Sequence, residues 1–337
     1  MKLPVHKRVL RVASGAIVLL LLAGAGCGYV AWQWWQAPSE RQQPTRLIVE
    51  RGTPLIALSE QLAAAGVIDH PRLFRIITEL SGDAPRVKAG EFEFGAHYSP
   101  RQVLDLIVVG EVVSHALSII EGWSVRQALD ALQSNPLLEQ TLTNIDSANL
   151  MAVLGHEDGP AEGWLFPDTY HFVRGERDID LIKRAYQRML DALNQIWLAR
   201  DAGLPYQSPY ELLIVASLIE KETGRSSDRP DISQVFVSRL NKRMRLQTDP
   251  SVIYGLGDQF DGNLTREHLR SDTPYNTYTR HGLPPTPIAL PGMDSLQAAA
   301  HPGTGDYLYF VARGDGSSQF SRSLEEHLAA VRQYQLN

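Results

Sequence analysis

Hydrophobic and polar positions divide the chain into three textures. From Val12 to Trp35 there is no charged residue. Roughly 20 apolar residues in a helix cross a hydrocarbon core, so residues 12–35 are expected to form a transmembrane helix. Lys2, Lys7, Arg8 and Arg11 precede it. A basic flank marks the cytoplasmic side, which puts residues 1–11 in the cytoplasm and the body beyond the membrane. Tyr29, Trp32, Trp34 and Trp35 close the run, where amphipathic rings favour the headgroup level. Signal cleavage at Ala23-Gly24-Ala25-Gly26 is disfavoured, because the apolar run continues past these small residues. Gly24, three residues before Cys27, suits lipidation of that cysteine poorly. Residues 36–46 (QAPSERQQPTR) have two prolines and no apolar pattern, and are expected to be a flexible stalk.

The second texture, residues 47–150, alternates short units. Arg46 to Glu50 reads as a strand, and Thr53-Pro54 as a cap and first helical position. Leu55, Leu58 and Leu62 share a helical face until Gly66 stops it. A helix from about His70-Pro71 and a strand at Glu91-Phe92-Glu93-Phe94 follow. Ser99…Gln102 and Ser124…Gln127 read as capping boxes. Val49-Glu50-x-Gly-Thr and Ile120-Glu121-Gly-x-Ser resemble two copies of one small α/β unit. The third texture, residues 151–337, gathers aromatic, Pro and Gly residues in loops. Helical patterns lie between them near 178–200, 209–222 and 230–243. A strand at 307–312, a turn at 314–316 and a helix from about 323 end the chain. Strands and helices do not alternate regularly, which predicts an α+β fold.

Composition narrows the function. The formal net charge of -6 over 337 residues argues against nucleic acid, whose partners carry a basic stripe. Cys27 is the single cysteine, so there is no intramolecular disulfide and no cysteine metal cluster. Gly-rich phosphate loops, His-Glu-x-x-His and G-x-S-x-G are absent from the sequence. No metal and no cofactor are expected.

The most informative stretch is Ser208 to Gly224. Ser208 and Glu211 read as a capping box around Pro209. Leu212 to Ile219 is apolar apart from Ser217, so the helix should be buried. Glu220 and Glu222 then appear just before Gly224. Burial disfavours a charged carboxylate, and so does the negative end of a helix. Both effects push Glu220 toward a raised pKa, as a general acid for a glycosidic oxygen needs. The two glutamates lie about 200° apart on a helical wheel, and the wheel does not choose between them. A bland alternative pairs Glu220 with Arg225, Arg239 or Arg243. In Leu246-Gln247-Thr248-Asp249-Pro250-Ser251, Asp249 is expected to cap a helix starting at Pro250. Gln247 and Asp249 could also line a cleft opposite Glu220, with aromatic loops offering flat faces to sugars.

These residues resemble the MltG-type (YceG-like) endolytic murein transglycosylases. The matching stretches are EGWLFPDTY (162–170), ASLIEKETG (216–224), MRLQTDPSVIYGLG (244–257), YNTYTRHGLPPTPIALPG (275–292) and AAAHPGTGDYLYFVA (298–312). They span the C-terminal half. The N-terminal half matches more loosely, through the anchor and a VERGTPLIALSEQL-like unit. The resemblance implies a transmembrane helix, a small LysM-like α/β subdomain with a connecting region over 47–150, and a larger α+β catalytic domain over 151–337.

It also implies a lyase cutting peptidoglycan glycan strands after N-acetylmuramic acid, near the inner membrane, to leave 1,6-anhydro-muramyl ends. By resemblance Glu220 is the catalytic residue, and peptidoglycan synthases are partners. Its carboxyl would protonate the leaving oxygen, and the carboxylate would then take the C6 hydroxyl proton. Gln247, Asp249, Tyr275, Asn276, Tyr278, Trp164 and Phe166 are candidate substrate contacts. Two alternatives are a hydrolase, with Glu220 as acid and Asp249 as base, and a non-catalytic glycan-binding scaffold. The chain departs from the family pattern around Ser318, where a histidine is frequent, and at Leu290, where an asparagine is.

Overall fold

The structure is a computed structural model. It describes residues 5–142, 145–146, 149–155 and 159–335, with residues 5–13 described by backbone alone. Lys2 and the side chains of Lys7, Arg8 and Arg11 therefore lie outside the described residues. The chain forms two compact units, Met1–His115 and Ala116–Asn337.

The first unit opens with α1 (Val5–Gln36). Its segment Ser14–Gln36 is long and apolar enough to cross a membrane. The helix runs on into a folded body. β1 (Thr45–Val49) pairs antiparallel with β2 (Gly90–Phe94), Leu47 opposite Phe92. Between them lie α2 (Leu55–Ala64) and α3 (Pro71–Leu80), and α4 (Pro100–Val109) follows. Alternation in β2 sends Phe92 and Phe94 into a core with Leu58, Leu62, Phe74 and Ile107. Trp34 and Trp35 pack against the same core.

Of the expected 36–46 stalk, Gln36 ends α1, Thr45 and Arg46 open β1, and Ser39 and Arg41 are bonded to residues 95–97. Arg41 Nη2 donates to the Gly95 carbonyl at 3.0 Å, and the His97 ring meets the Ser39 carbonyl at 3.1 Å. Polar residues without an apolar pattern can still be held by side-chain bonds to a neighbouring turn. Pro54, not Thr53, occupies the cap of α2, and the Thr53 hydroxyl bonds back to the Glu50 carbonyl.

The second unit begins within β3 (Ser114–Ser118), followed by α5 (Val125–Gln133), α6 (Leu150–Val153) and β4 (Thr169–Val173). β3 pairs with β4. Residues 116–150, expected with the N-terminal region, share a core with the larger unit: Leu117, Val125 and Leu132 pack with Phe172 and Ile182. Next come α7 (Asp178–Ala199), α8 (Pro209–Glu222), α9 (Arg229–Asn241), α10 (Asp249–Leu256), α11 (Arg266–Arg270) and α12 (Met293–Ala300). The antiparallel pair β5 (Tyr309–Ala312) and β6 (Ser318–Ser321) and the capped α13 (Leu324–Tyr334) complete the unit. The fold is α+β, as expected. β4 and β6 were not legible in the pattern, because each is short and flanked by turn residues.

Candidate active site

Helix α8 is the rod on which the site is built. The Ser208 hydroxyl accepts the Glu211 N–H at 3.3 Å, satisfying one free donor of the first turn. Glu211 does not close the box onto Ser208; its carboxylate takes the Gln207 N–H at 2.5 Å. Leu212 to Ile219 are all buried. Ser217, the polar exception, donates to the Ile214 carbonyl at 2.7 Å and accepts the Ile288 N–H at 3.0 Å. That bond fastens the 286–292 loop to the helix. Gly163 permits a similar close approach: its φ is +87°, and a Cβ there would lie 2.6 Å from Pro287.

The two glutamates at the end of α8 have opposite surroundings. The Glu220 side chain is 5% exposed. One oxygen takes the Gly292 N–H at 2.9 Å and the Ser295 hydroxyl at 2.7 Å; the other takes Arg229 Nη2 at 3.1 Å. Arg229 also holds Asp294 at 3.0 Å and approaches Glu121 at 3.7 Å. A Cβ at Gly292 would meet the half-exposed Glu121 carboxyl, which would have to move aside. The arginine partner is thus Arg229, not Arg225, Arg239 or Arg243. Both Glu220 oxygens are engaged by protein donors, and the carboxylate joins the end of α8 to the starts of α9 and α12.

Glu222 is half-buried and, among the described residues, makes no ion pair. Burial pushes its carboxyl up to about 7, against the lowering effect of Thr248; Asp249 adds a smaller upward push and Arg239 a smaller downward one. The Thr248 hydroxyl lies beside it but forms no well-aligned hydrogen bond. Asp249 stands in the first turn of α10, which Thr248 caps, so Asp249 is not the cap itself. Its Oδ1 accepts the Tyr278 hydroxyl at 2.5 Å. The segment is strapped down: the Gln247 N–H reaches the Thr277 carbonyl at 3.1 Å, and the Thr248 N–H reaches Thr277 Oγ1 at 3.0 Å. Gln247 itself is exposed with φ of +53°, a left-handed backbone that non-glycine residues rarely adopt. Arg239 donates to the Leu246 carbonyl at 2.6 Å and the Leu308 carbonyl at 2.7 Å, tying this segment to β5.

The remaining candidates divide. Asn276 is fully buried; its amide donates to the His268, Leu269 and Ser271 carbonyls, and its oxygen accepts the Tyr278 N–H. It has no group left for a ligand and serves as an internal clamp. Phe166 is buried beneath the Arg188 guanidinium, so it too is core. Trp164 stacks on Tyr210 at 5.8 Å and, with Tyr186 and Pro285, lines a cavity of about 410 Å³. Tyr275 packs on Tyr254 at 5.0 Å and bonds Thr286. Leu290 is core as well, exchanging backbone bonds with Gly122 and Trp123. The Ser318 N–H binds Asp228 at 2.8 Å.

Sequence reasoning passed over Glu162. It is buried, accepts the Val125 N–H at 3.1 Å and the Tyr254 hydroxyl at 3.2 Å, and burial pushes it up to about 7. A glutamate placed directly before Gly163 in an apolar loop was the available signal. Among the described residues no three His, Cys, Asp or Glu side chains are grouped to hold a metal ion.

The arrangement is a half-buried carboxyl, titrating near neutrality, beside an aspartate–tyrosine pair at the end of a rigid helix. The sequence pattern of the YceG-like family matches residues 47–333, which takes in both units and every residue of this site. The chain belongs to the YceG-like family. A relative from Bacillus subtilis (strain 168), named endolytic murein transglycosylase, is 30% identical over 316 residues, covering 88% of this chain and 87% of its own. One of the same name from Streptococcus pneumoniae serotype 2 (strain D39 / NCTC 7466) is 26% identical over 92% of this chain, which spans 63% of that protein. The crystal structure of a putative yceG-like protein from Listeria monocytogenes superposes with a TM-score of 0.53 at 28% identity, covering 86% of this chain and 99% of the other.

Proposed function

We propose that this YceG-like chain is an endolytic murein transglycosylase. It cuts glycan strands after N-acetylmuramic acid and leaves 1,6-anhydro ends. The observation that carries the mechanism is Glu222, a half-buried carboxyl pushed up to about 7 at the end of α8. A group protonated near neutrality can give its proton to the glycosidic oxygen as an oxocarbenium-like state forms. The resulting carboxylate takes the proton from the muramyl C6 hydroxyl as that oxygen attacks the anomeric carbon. Each step returns what the other removed, and no water is consumed.

The family resemblance assigned this role to Glu220. Our reading moves it to Glu222, with Glu220, which holds Arg229, Gly292 and Ser295, as the alternative. Protonating Glu220 would weaken its charge-assisted bond to Arg229. Asp249, which accepts the Tyr278 hydroxyl, would stabilise developing positive charge; a hydrolase would instead need it free to activate water. Gln247, exposed at its strained backbone, is a candidate sugar contact.

The anchor reading belongs to the same proposal. The 14–36 helix crosses the inner membrane with its N-terminus in the cytoplasm, which places the body beside nascent strands and their synthases. The β1-α2-α3-β2 unit would serve as a LysM-like glycan reader.

The test is mass spectrometry of products from glycan strands incubated with the parent, Glu220→Gln and Glu222→Gln. Anhydro ends from the parent, none from Glu222→Gln and a reduced yield from Glu220→Gln are expected. Reducing ends would mean hydrolysis. Full activity in Glu222→Gln with none in a folded Glu220→Gln would return the acid to Glu220.

A further inference from the structure

Where α1 leaves its apolar segment, it does not run free into solvent. The Trp34 indole N–H donates to Asp69 Oδ1 at 2.6 Å, and its ring lies 5.6 Å from His70. The Trp35 ring packs 5.7 Å from Phe74. The end of the candidate membrane span and the first unit are therefore one packed body. Between them is a cavity of about 650 Å³. Trp34, Glu40, Arg41, Ile68, Asp69 and Pro100 are among the residues that line it. Because Trp34 belongs to the last turn of the span, the cavity opens at the depth where hydrocarbon gives way to headgroups.

Its charges are unusual. Arg41 Nε donates to Ser39 Oγ and Nη2 to the Gly95 carbonyl, but Nη1 is buried without an acceptor. A buried donor left unmatched is costly. The natural acceptor for a guanidinium at headgroup depth is a phosphate oxygen. Yet Glu40 and Asp69 line the same cavity, so a bare anion meets two negative charges and one positive. A ligand carrying both a phosphate and a primary ammonium answers all three: phosphate to Arg41, ammonium N–H groups to the two carboxylates. Val30 and Trp32 are exposed on the adjoining helix, which leaves apolar surface for acyl chains.

We propose that this cavity is a binding site for the phosphoethanolamine headgroup of a membrane lipid. The proposal rests on the reading of α1 as a membrane anchor. It goes beyond the catalytic assignment, since the site is built from the first unit alone. The same headgroup chemistry could come from a lipid or from soluble phosphate compounds, and the experiment separates them.

The full-length chain in neutral detergent is titrated, by native mass spectrometry, with phosphatidylethanolamine, phosphatidylglycerol and phosphatidylcholine of matched acyl chains. Inorganic phosphate and glycerophosphoethanolamine are separate arms. Phosphatidylethanolamine should bind tightest, because the quaternary ammonium of phosphatidylcholine has no N–H to donate and phosphatidylglycerol has no cation. Arg41→Gln should weaken that binding by about tenfold or more, the worth of one charge-assisted bond. Glu40→Gln, at an exposed position, should keep the fold and narrow the preference for phosphatidylethanolamine over phosphatidylglycerol. Equal binding of the three lipids, or an Arg41→Gln affinity matching the parent, overturns the proposal. Inorganic phosphate competing away the lipid would make this a free-anion site and overturn the lipid assignment. Membrane fractionation tests the anchor separately: a chain recovered in the soluble fraction removes the anchor reading, whereas a membrane-bound chain without lipid preference removes only the headgroup site.

Discussion

Replacing Glu222 by glutamine should stabilise the protein while abolishing its activity, with a stabilisation that grows from about pH 4.5 and is complete above about pH 7. In the folded state the Glu222 carboxyl is raised from 4.5 to about 7. Between those values the folded state holds a proton that the unfolded state has released, so stability falls as pH rises through this window. Above pH 7 the penalty is complete; below 4.5 it vanishes. At about 1.4 kcal/mol per pKa unit, the shift sets an upper bound of roughly 3.4 kcal/mol. Solvent access to the half-buried side chain, and the weakened hold on Arg239, reduce this to about 1–3 kcal/mol. For a unit of this size each kcal/mol moves Tm by about 2–4 °C. Scanning calorimetry at pH 8 should therefore show the transition of the second unit several degrees higher in Glu222→Gln than in the parent, with the two coinciding at pH 4. Loss of a general acid costs about 10²–10⁴ in rate, so the same variant should yield almost no anhydro product. A Tm at pH 8 equal to or below the parent's, or an equal increment at both pH values, would refute the reasoning, because a carboxyl that costs nothing when ionised is not the poised acid.

Other residues give contrasting outcomes. Arg229→Met strips Glu220 of its buried partner and should cost about 3–5 kcal/mol by denaturant unfolding; the half-exposed Asp294 and Glu121 add little. A loss below about 1 kcal/mol would show that Glu220 is not held as described. Asn276→Ala leaves three partly buried carbonyls without this donor and should cost about 1–3 kcal/mol; unchanged stability would return Asn276 to the list of ligand contacts. Tyr278→Phe removes the bond to Asp249 and should lower kcat/KM several-fold while leaving Tm nearly unchanged; parent-like kinetics would remove that pair from the mechanism. In the parent, kcat/KM should decline as pH rises through about 7, since the acid must be protonated in the free enzyme; a profile flat from pH 6 to 8 would contradict this.

Much of the scaffold was legible because local rules decide it. Ser99 and Gln102, and Ser124 and Gln127, form the reciprocal caps their spacing announces. The apolar run 212–219 is the buried rod it reads as. The tie-down of Ser39 and Arg41, the pairing of β3 with β4, and the burial of Asn276 and Phe166 were not legible. Each depends on a partner distant in sequence: Gly95 for Arg41, and Arg188 for Phe166. Polar and aromatic residues in loops look alike in sequence whether they face a ligand or a backbone carbonyl.

The sequence by itself determined the apolar segment, the family, and a candidate place for chemistry: two glutamates at the end of a buried helix. Spacing alone could not choose between them, and the family resemblance pointed to Glu220. A helical wheel reports the angle between Glu220 and Glu222, but not what stands opposite each. Tertiary structure supplies that. Arg229 comes from the next long helix, and Gly292 and Ser295 come from more than 70 residues away in sequence; all three converge on Glu220. Glu222 is left with burial and a neighbouring aspartate. Carboxyl chemistry is set by the charges and donors within a few ångströms, and in this chain those come from parts that only folding brings together.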